Sequence, residues 1–169
     1  GSDFAVVRWA DGAVRLEYPI GTVLVPPGSS LGISHPRISP NGKLVAFLDH
    51  PVTSDDRGSV AIVDRSGRKT ILSSGWASVQ GLAWAKDGDE VLFTAAQVGA
   101  DSALYGVDLS GKRRLVEKAP GRLVLHDVSR DGTLLLERSS HRMEMRGVAP
   151  GAEDVDLSWR ARVAGFDIA

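Results

Sequence analysis

Short apolar runs separated by glycine-marked turns recur along the chain, and three segments share one layout: RISPNGKLVAF (Arg37 to Phe47), LAWAKDGDEVLF (Leu82 to Phe93) and DVSRDGTLLLE (Asp127 to Glu137). In each, Asn-Gly or Asp-Gly stands between two apolar or alternating runs. Both turn residues tolerate positive φ, so the pattern predicts a tight hairpin between paired strands. The turn glycines Gly42, Gly88 and Gly132 lie 46 and 44 residues apart. That period belongs to propeller blades rather than to helical solenoids.

A second hairpin follows each first one: VAIVDRSGRKTIL (Val60 to Leu72), LYGVDLSGKRRLV (Leu104 to Val116) and MRGVAPGAEDVDL (Met145 to Leu157), marked by Gly67, Gly111 and Gly151. One unit is therefore four short strands, a to d. The fold class expected is an all-β propeller of four-stranded antiparallel blades, about four in this chain: three complete and one composite or split. Residues 1–2 read as a cloning scar. A partial blade of strands b to d is expected over 3–28, blades over 29–76, 77–121 and 122–160, and a lone strand a over 161–169. The two end fragments could pair into one composite blade, within a chain or between two chains, because an open sheet edge is a liability.

Composition removes several classes of function. The chain has 169 residues, is 43% hydrophobic and carries a net charge of −1, from 20 basic and 21 acidic residues. That balance gives no overall attraction to nucleic acid or to anionic lipid. With no cysteine, disulfides, thiolate nucleophiles and cysteine-ligated zinc are excluded. No stretch approaches the roughly 20 apolar residues of a membrane span. If Gly1-Ser2 is a scar, the natural protein extends beyond this segment.

On these residues the chain resembles the TolB-type propeller repeat, whose turn reads Ser-Pro-Asp-Gly-Lys and whose later strand ends in Asp. Ser39-Pro40-Asn41-Gly42-Lys43 carries the match, with looser versions at Ala85 to Asp89 and Ser129 to Thr133, and Val63-Asp64 and Val107-Asp108 at the strand ends. Asp55 to Asp64 and Leu72 to Trp84 further resemble propellers attached to bacterial serine/threonine kinases or DNA-binding regulators. The resemblance implies a sensing or binding module of a larger bacterial protein, in a periplasmic or otherwise extracytoplasmic setting. No Trp-Asp dipeptide closes a blade, so the eukaryotic WD signature is missing.

Both glycine turns of a blade leave it on one face, so the b–c and d–a connections emerge on the other. These are expected over Asp49 to Ser59, Ala95 to Ala103 and Ser139 to Arg142, and over Pro26 to Pro36, Ser73 to Gln80 and Lys118 to His126. Loops on a rigid scaffold commonly carry binding residues. The candidate ligand-binding set on that face is Asp49, His50, Asp55, Asp56, Arg57, Trp76, Gln97, Asp101, His126 and His141. Asp49, His50, Asp55, Asp56 and Arg57 are its densest polar cluster, and a solvated loop tip explains them more simply than a metal or anion site. They lack EF-hand spacing. The histidines His35, His50, His126 and His141 sit in different repeats, and could meet only if equivalent loops converge at a channel mouth.

Serine nucleophiles fare no better. There is no G-x-S-x-G elbow, and Ser39 and Ser129 belong to repeat turns, where they brace backbone. Trp84 shares the register of Ile38 and Val128 and reads as core, whereas Trp76, assigned to a d–a loop, reads as the surface aromatic. The basic run Lys112 to Arg114 reads as a solvated turn. No catalytic residue, metal or cofactor is expected, nor contact with nucleic acid or membrane.

The leading reading is a noncatalytic module that binds a protein, peptide or small ligand. An alternative is the substrate-gating propeller of a prolyl-oligopeptidase-type serine peptidase whose hydrolase domain lies elsewhere. A channel metal held by Asp49, His50, Asp55 and Asp56, serving a hydrolase or lactonase, is a third reading, and a purely structural partial ring a fourth. An open row of blades would expose apolar faces; closure within the chain, a homodimer through the open blades, or further blades would each cover them.

Overall fold

The computed structural model describes residues 4–10, 12–99, 101–140, 146–147 and 155–156. All regular elements among them are strands. The chain divides into two units, Gly1–Arg138 and Ser139–Ala169.

The first unit opens with a three-stranded antiparallel sheet of β1 (Val6–Ala10), β2 (Ala13–Glu17) and β3 (Val23–Val25). A four-stranded sheet follows in the order β4 (Gly32–Ile38), β5 (Leu44–His50), β6 (Gly58–Asp64) and β7 (Lys69–Trp76). The next repeats it with β8 (Ser78–Trp84), β9 (Glu90–Ala96), β10 (Ala103–Asp108) and β11 (Arg113–Lys118). A pair of β12 (Arg122–Val128) and β13 (Leu134–Ser139) comes last. In the second unit β14 (Arg146–Gly147) pairs antiparallel with β15 (Val155–Asp156). These short strands fall inside the hairpin expected over Met145 to Leu157; Gly151 and the strand expected over 161–169 lie outside the described residues.

The middle strands read as continuous apolar runs because both faces of their sheet are covered. Along β5, Val45 and Phe47 point to one side and pack with Val14, Leu16 and Leu24 of the first sheet. Ala46 and Leu48 point to the other and join Leu82, Trp84 and Phe93 of the following sheet. Period-two alternation thus feeds two separate interfaces from one strand. The outer strands β7 and β11 instead carry many exposed residues.

The turns explain the repeat signature. Ser39 Oγ accepts the Leu44 N–H at 3.0 Å, and the Gly42 N–H closes the turn on Ser39 O at 2.8 Å. Ser129 repeats this with Thr133 and Gly132. In the second hairpins Asp64 Oδ1 accepts the N–H groups of Ser66 and Arg68, and Asp108 Oδ1 those of Ser110 and Lys112. The strand-ending aspartate is therefore a turn brace. Ser66 Oγ–H, then Arg68 N–H, hold the Asp64 pKa down to about 2.

Two expectations need correction. The d–a connections are far shorter than the polar runs implied: β7 continues to Trp76 and β8 begins at Ser78. Ser73, Ser74 and Gly75 look like loop by composition, but Ser74 and Gly75 are exposed residues of an outer strand and Ser73 is buried, accepting the Trp76 indole N–H at 2.9 Å. His126 likewise lies on β12 rather than in a connection. Trp76 is not a surface aromatic. It is 3% exposed, wedged against Phe93 and Tyr105 with ring centroids 5.5 and 4.7 Å away. The last residue of an outer strand meets the next sheet, and a large ring there is enclosed by it.

Candidate functional site

Two adjoining clefts open where the loop between β5 and β6 meets the starts of β4 and β8. The larger, about 600 Å³, is lined by Ser30, Asp49, His50, Arg57, Trp76 and Gln97 among others. The smaller, about 410 Å³, lies where three first strands converge, and Ser34 of β4, Gln80 of β8 and Val124 of β12 all line it. His50 borders both clefts.

Glycines allow this crowding. A Cβ on Gly58 would stand 2.8 Å from Val79 Cγ1 and 3.1 Å from His50 Nδ1. At Gly81, whose φ is +69°, a Cβ would lie 2.2 Å from Leu125 O, so β8 and β12 meet backbone to backbone. Gly81 occupies the bulge of its first strand, and His35 holds the equivalent bulge in β4 with φ of 52°. A non-glycine residue in the left-handed region costs roughly 1 kcal/mol, and such strain collects at functional positions.

Hydrogen bonds set the state of the smaller cleft. His50 Nδ1 lies 2.9 Å from Arg57 O, which can only accept, so Nδ1 carries the proton. In the neutral ring Nε2 then accepts from the Ser34 hydroxyl at 2.8 Å. Ser34 Oγ in turn accepts from His35 Nδ1–H at 3.0 Å, which leaves the lone pair of neutral His35 on Nε2. Burial pushes the His35 pKa down, and Arg37, His50 and His126 push it the same way.

The ten candidate residues fall into several groups. Asp49 is committed to a brace, accepting Lys69 Nζ at 2.8 Å and the Ser30 hydroxyl. Asp55 accepts from Arg57 Nη2 at 2.6 Å; that side chain, then the Arg57 N–H, hold its pKa down to about 2. Asp56 accepts from Gln80 Nε2 at 2.7 Å, and Gln80 Oε1 accepts from Arg122. Gln97 is exposed on the larger cleft, whereas Asp101 is exposed and lines neither. His126 Nε2 lies 3.1 Å from Glu137 Oε2. His141 lies outside the described residues.

The structure also unites Asp49, His50, Asp55 and Asp56 less tightly than a metal requires: among the described residues no three His, Cys, Asp or Glu are placed to hold an ion. The run Lys112 to Arg114 is drawn into local pairs, with Arg114 bonded to Glu90 at 2.6 Å and Arg113 over the Trp76 ring at 5.4 Å. Sequence reasoning missed Ser34 and Gln80 and left His35 out of the site. A signal was present. Ser34, Gln80 and Val124 are separated by 46 and 44 residues, the repeat spacing itself, so equivalent positions of successive first strands meet at one mouth.

Stacked four-stranded antiparallel sheets with a cleft at their converging first strands define a β-propeller class of protein. No protein-family model matches the chain, and no curated protein matches it in sequence. Among solved structures it is similar to TolB from Acinetobacter baumannii, with 15% identity and a TM-score of 0.57 over 87% of this chain and 35% of that one. A protein described as TolB from Agrobacterium tumefaciens gives 17% identity and a TM-score of 0.63 over 90% and 60%. A prolyl endopeptidase gives 19% identity and a TM-score of 0.56 over 86% and 26%. The chain has a TolB-type β-propeller fold, and it matches between about a third and three fifths of the length of the TolB structures.

Proposed function

We propose that this chain is a noncatalytic binding module that takes an extended polypeptide segment across its loop face. The observation that carries the reading is the pair of adjoining clefts, about 600 and 410 Å³, sharing His50. Each is of ligand size, and with His50 bordering both, an extended segment can occupy the two together. Its walls mix apolar surface with a few placed polar groups, notably Ser34, Gln80 and Gln97. Such groups suit the N–H and C=O of a main chain. The likeness to TolB structures supports the fold on which this rests.

Selection of a displayed peptide library on the immobilised protein, followed by fluorescence-polarisation titration of the enriched sequences, tests the reading. Saturable binding that falls at least about tenfold in Gln80→Ala, a loss of roughly 1.4 kcal/mol, supports it. Enriched peptides that bind Gln80→Ala and Gln97→Ala as well as wild type refute it for this face. A second reading, a gating propeller in a prolyl-oligopeptidase-type peptidase, is favoured by the likeness to the prolyl endopeptidase. An α/β-hydrolase segment in the same gene decides for it.

A further inference from the structure

Ser34 aims its hydroxyl at an imidazole. Its Oγ–H donates to His50 Nε2 at 2.8 Å, and the far side of that ring is held by Nδ1–H donating to Arg57 O at 2.9 Å. A hydroxyl bonded to a base that a third group orients is the arrangement by which serine nucleophiles are activated. Other serines spend the same proton differently. Ser66, Ser110 and Ser129 donate to Asp64, Asp108 and Asp131. All three carboxylates are held below their usual range, and such groups take up protons poorly near neutral pH, where an imidazole does so readily.

The base is fixed from several sides. Asp55 accepts the Arg57 N–H at 2.8 Å and Arg57 Nε and Nη2 at 3.0 and 2.6 Å, which pins the stretch of chain that presents Arg57 O. Gly32 and Gly58 flank the histidine: an added Cβ would stand 3.0 Å from His50 Cβ at the first and 3.1 Å from His50 Nδ1 at the second. The ring keeps this seat because both are glycine. Asp55 also lines the cleft, and its charge attracts a proton on His50.

Ser34 Oγ has a lone pair to react with. A hydroxyl carries two, and one of them accepts His35 Nδ1–H at 3.0 Å. That donor stabilises the charge that develops on Oγ as the proton leaves. Ser34 and His50 both line the 410 Å³ cleft, so an electrophile entering it meets the hydroxyl beside its base.

We propose that Ser34 is an activated nucleophile with His50 as its general base, and that the smaller cleft captures an acyl or phosphonyl group from an electrophile with a good leaving group, such as an aryl ester or a fluorophosphonate. In the step, Oγ bonds to the carbonyl carbon or to phosphorus, and the bond to the leaving group breaks. The Oγ proton passes to His50 Nε2 and from there to the leaving group, which departs as a phenol or as hydrogen fluoride. One chain captures one group, so the inference goes beyond peptide binding without requiring turnover.

An alkyl fluorophosphonate, incubated with the whole chain at neutral pH and followed by tryptic mass spectrometry, tests it. The peptide Leu16 to Arg37 also holds Ser29 and Ser30, so fragmentation assigns the position. The expected result is a phosphonate on Ser34, none on that peptide in Ser34→Ala, and labelling slowed at least about 100-fold in His50→Gln. Added imidazole restores part of the rate in His50→Ala, which separates a lost base from a lost fold. A label absent from Ser34, spread evenly over the exposed serines, or acquired at an equal rate in His50→Gln overturns the proposal, as does a slow His50→Ala that imidazole leaves slow. Peptide selection on the loop face uses no electrophile, so each result stands without the other.

Discussion

Gly81→Ala tests the close approach on which the inner mouth depends. Two costs act together. Alanine at φ +69° enters the left-handed region at about 1 kcal/mol. Its Cβ would also stand 2.2 Å from Leu125 O and 2.7 Å from Leu125 N. Both are backbone atoms, which have no rotamer to escape into. Opening the gap to 3.0 Å moves β12 from β8 by about 0.8 Å, and overpacking of this kind costs about 1–3 kcal/mol. The shift also pulls Leu125, 1% exposed, from its cluster with Ala83, Leu92 and Leu104, and stretches its 3.2 Å bond to Thr94 Oγ1. The expected total is about 3 kcal/mol. Gly99→Ala is the control, since Gly99 has φ +72° but nothing within 4 Å of an added Cβ, and it loses only the backbone part of about 1 kcal/mol. Urea unfolding of the two variants beside wild type measures the difference. Equal losses refute the claim that the two first strands touch here.

Three further outcomes are expected. Trp76→Ala removes a buried ring packed on Phe93 and Tyr105 and costs about 3–5 kcal/mol in the same urea assay; a loss below about 1 kcal/mol restores it to the surface. Asp64, lowered from 3.8 to about 2, contributes stability that is present above about pH 4 and lost as pH falls toward 2. In Asp64→Asn the urea midpoint therefore falls less steeply over that window, and an unchanged slope contradicts the turn-brace role. Ser34→Ala breaks the link between the His50 and His35 rings; nitrogen shifts of His35 then move away from a pure Nδ1–H tautomer, whereas identical shifts in the variant disprove the chain of hydrogen bonds.

How far the sequence determined this protein follows from the range of each signal. The hairpins at Asn41-Gly42 and Asp131-Gly132 are local events, decided by Gly42 and Gly132 at positive φ and by Ser39 and Ser129 bracing their own turns. Their recurrence every 46 and 44 residues carried the blade architecture, and alternation along β5 already held two interfaces. The end of a strand was harder to see. Ser73 to Trp76 reads as loop by composition, yet in the outer strand only Ser74 and Gly75 are exposed, Ser73 is buried with its hydroxyl accepting the Trp76 indole N–H, and only the adjoining sheet encloses Trp76.

The site belongs to the tertiary structure. Its members come from β4, β5, β8 and β12, and Ser34 reaches His50 across 16 residues while Arg37 reaches His126 O across 89. Nothing in a window of sequence reports that His35 keeps its free lone pair on Nε2, or that Asp49 is already bound to Lys69. Those facts depend on which partners the stacking of sheets brings within about 3 Å, and hydrogen bonds and ion pairs are decided at that distance. Turns and periodicity are written into neighbouring residues; the chemistry of the mouth exists only once distant strands share it.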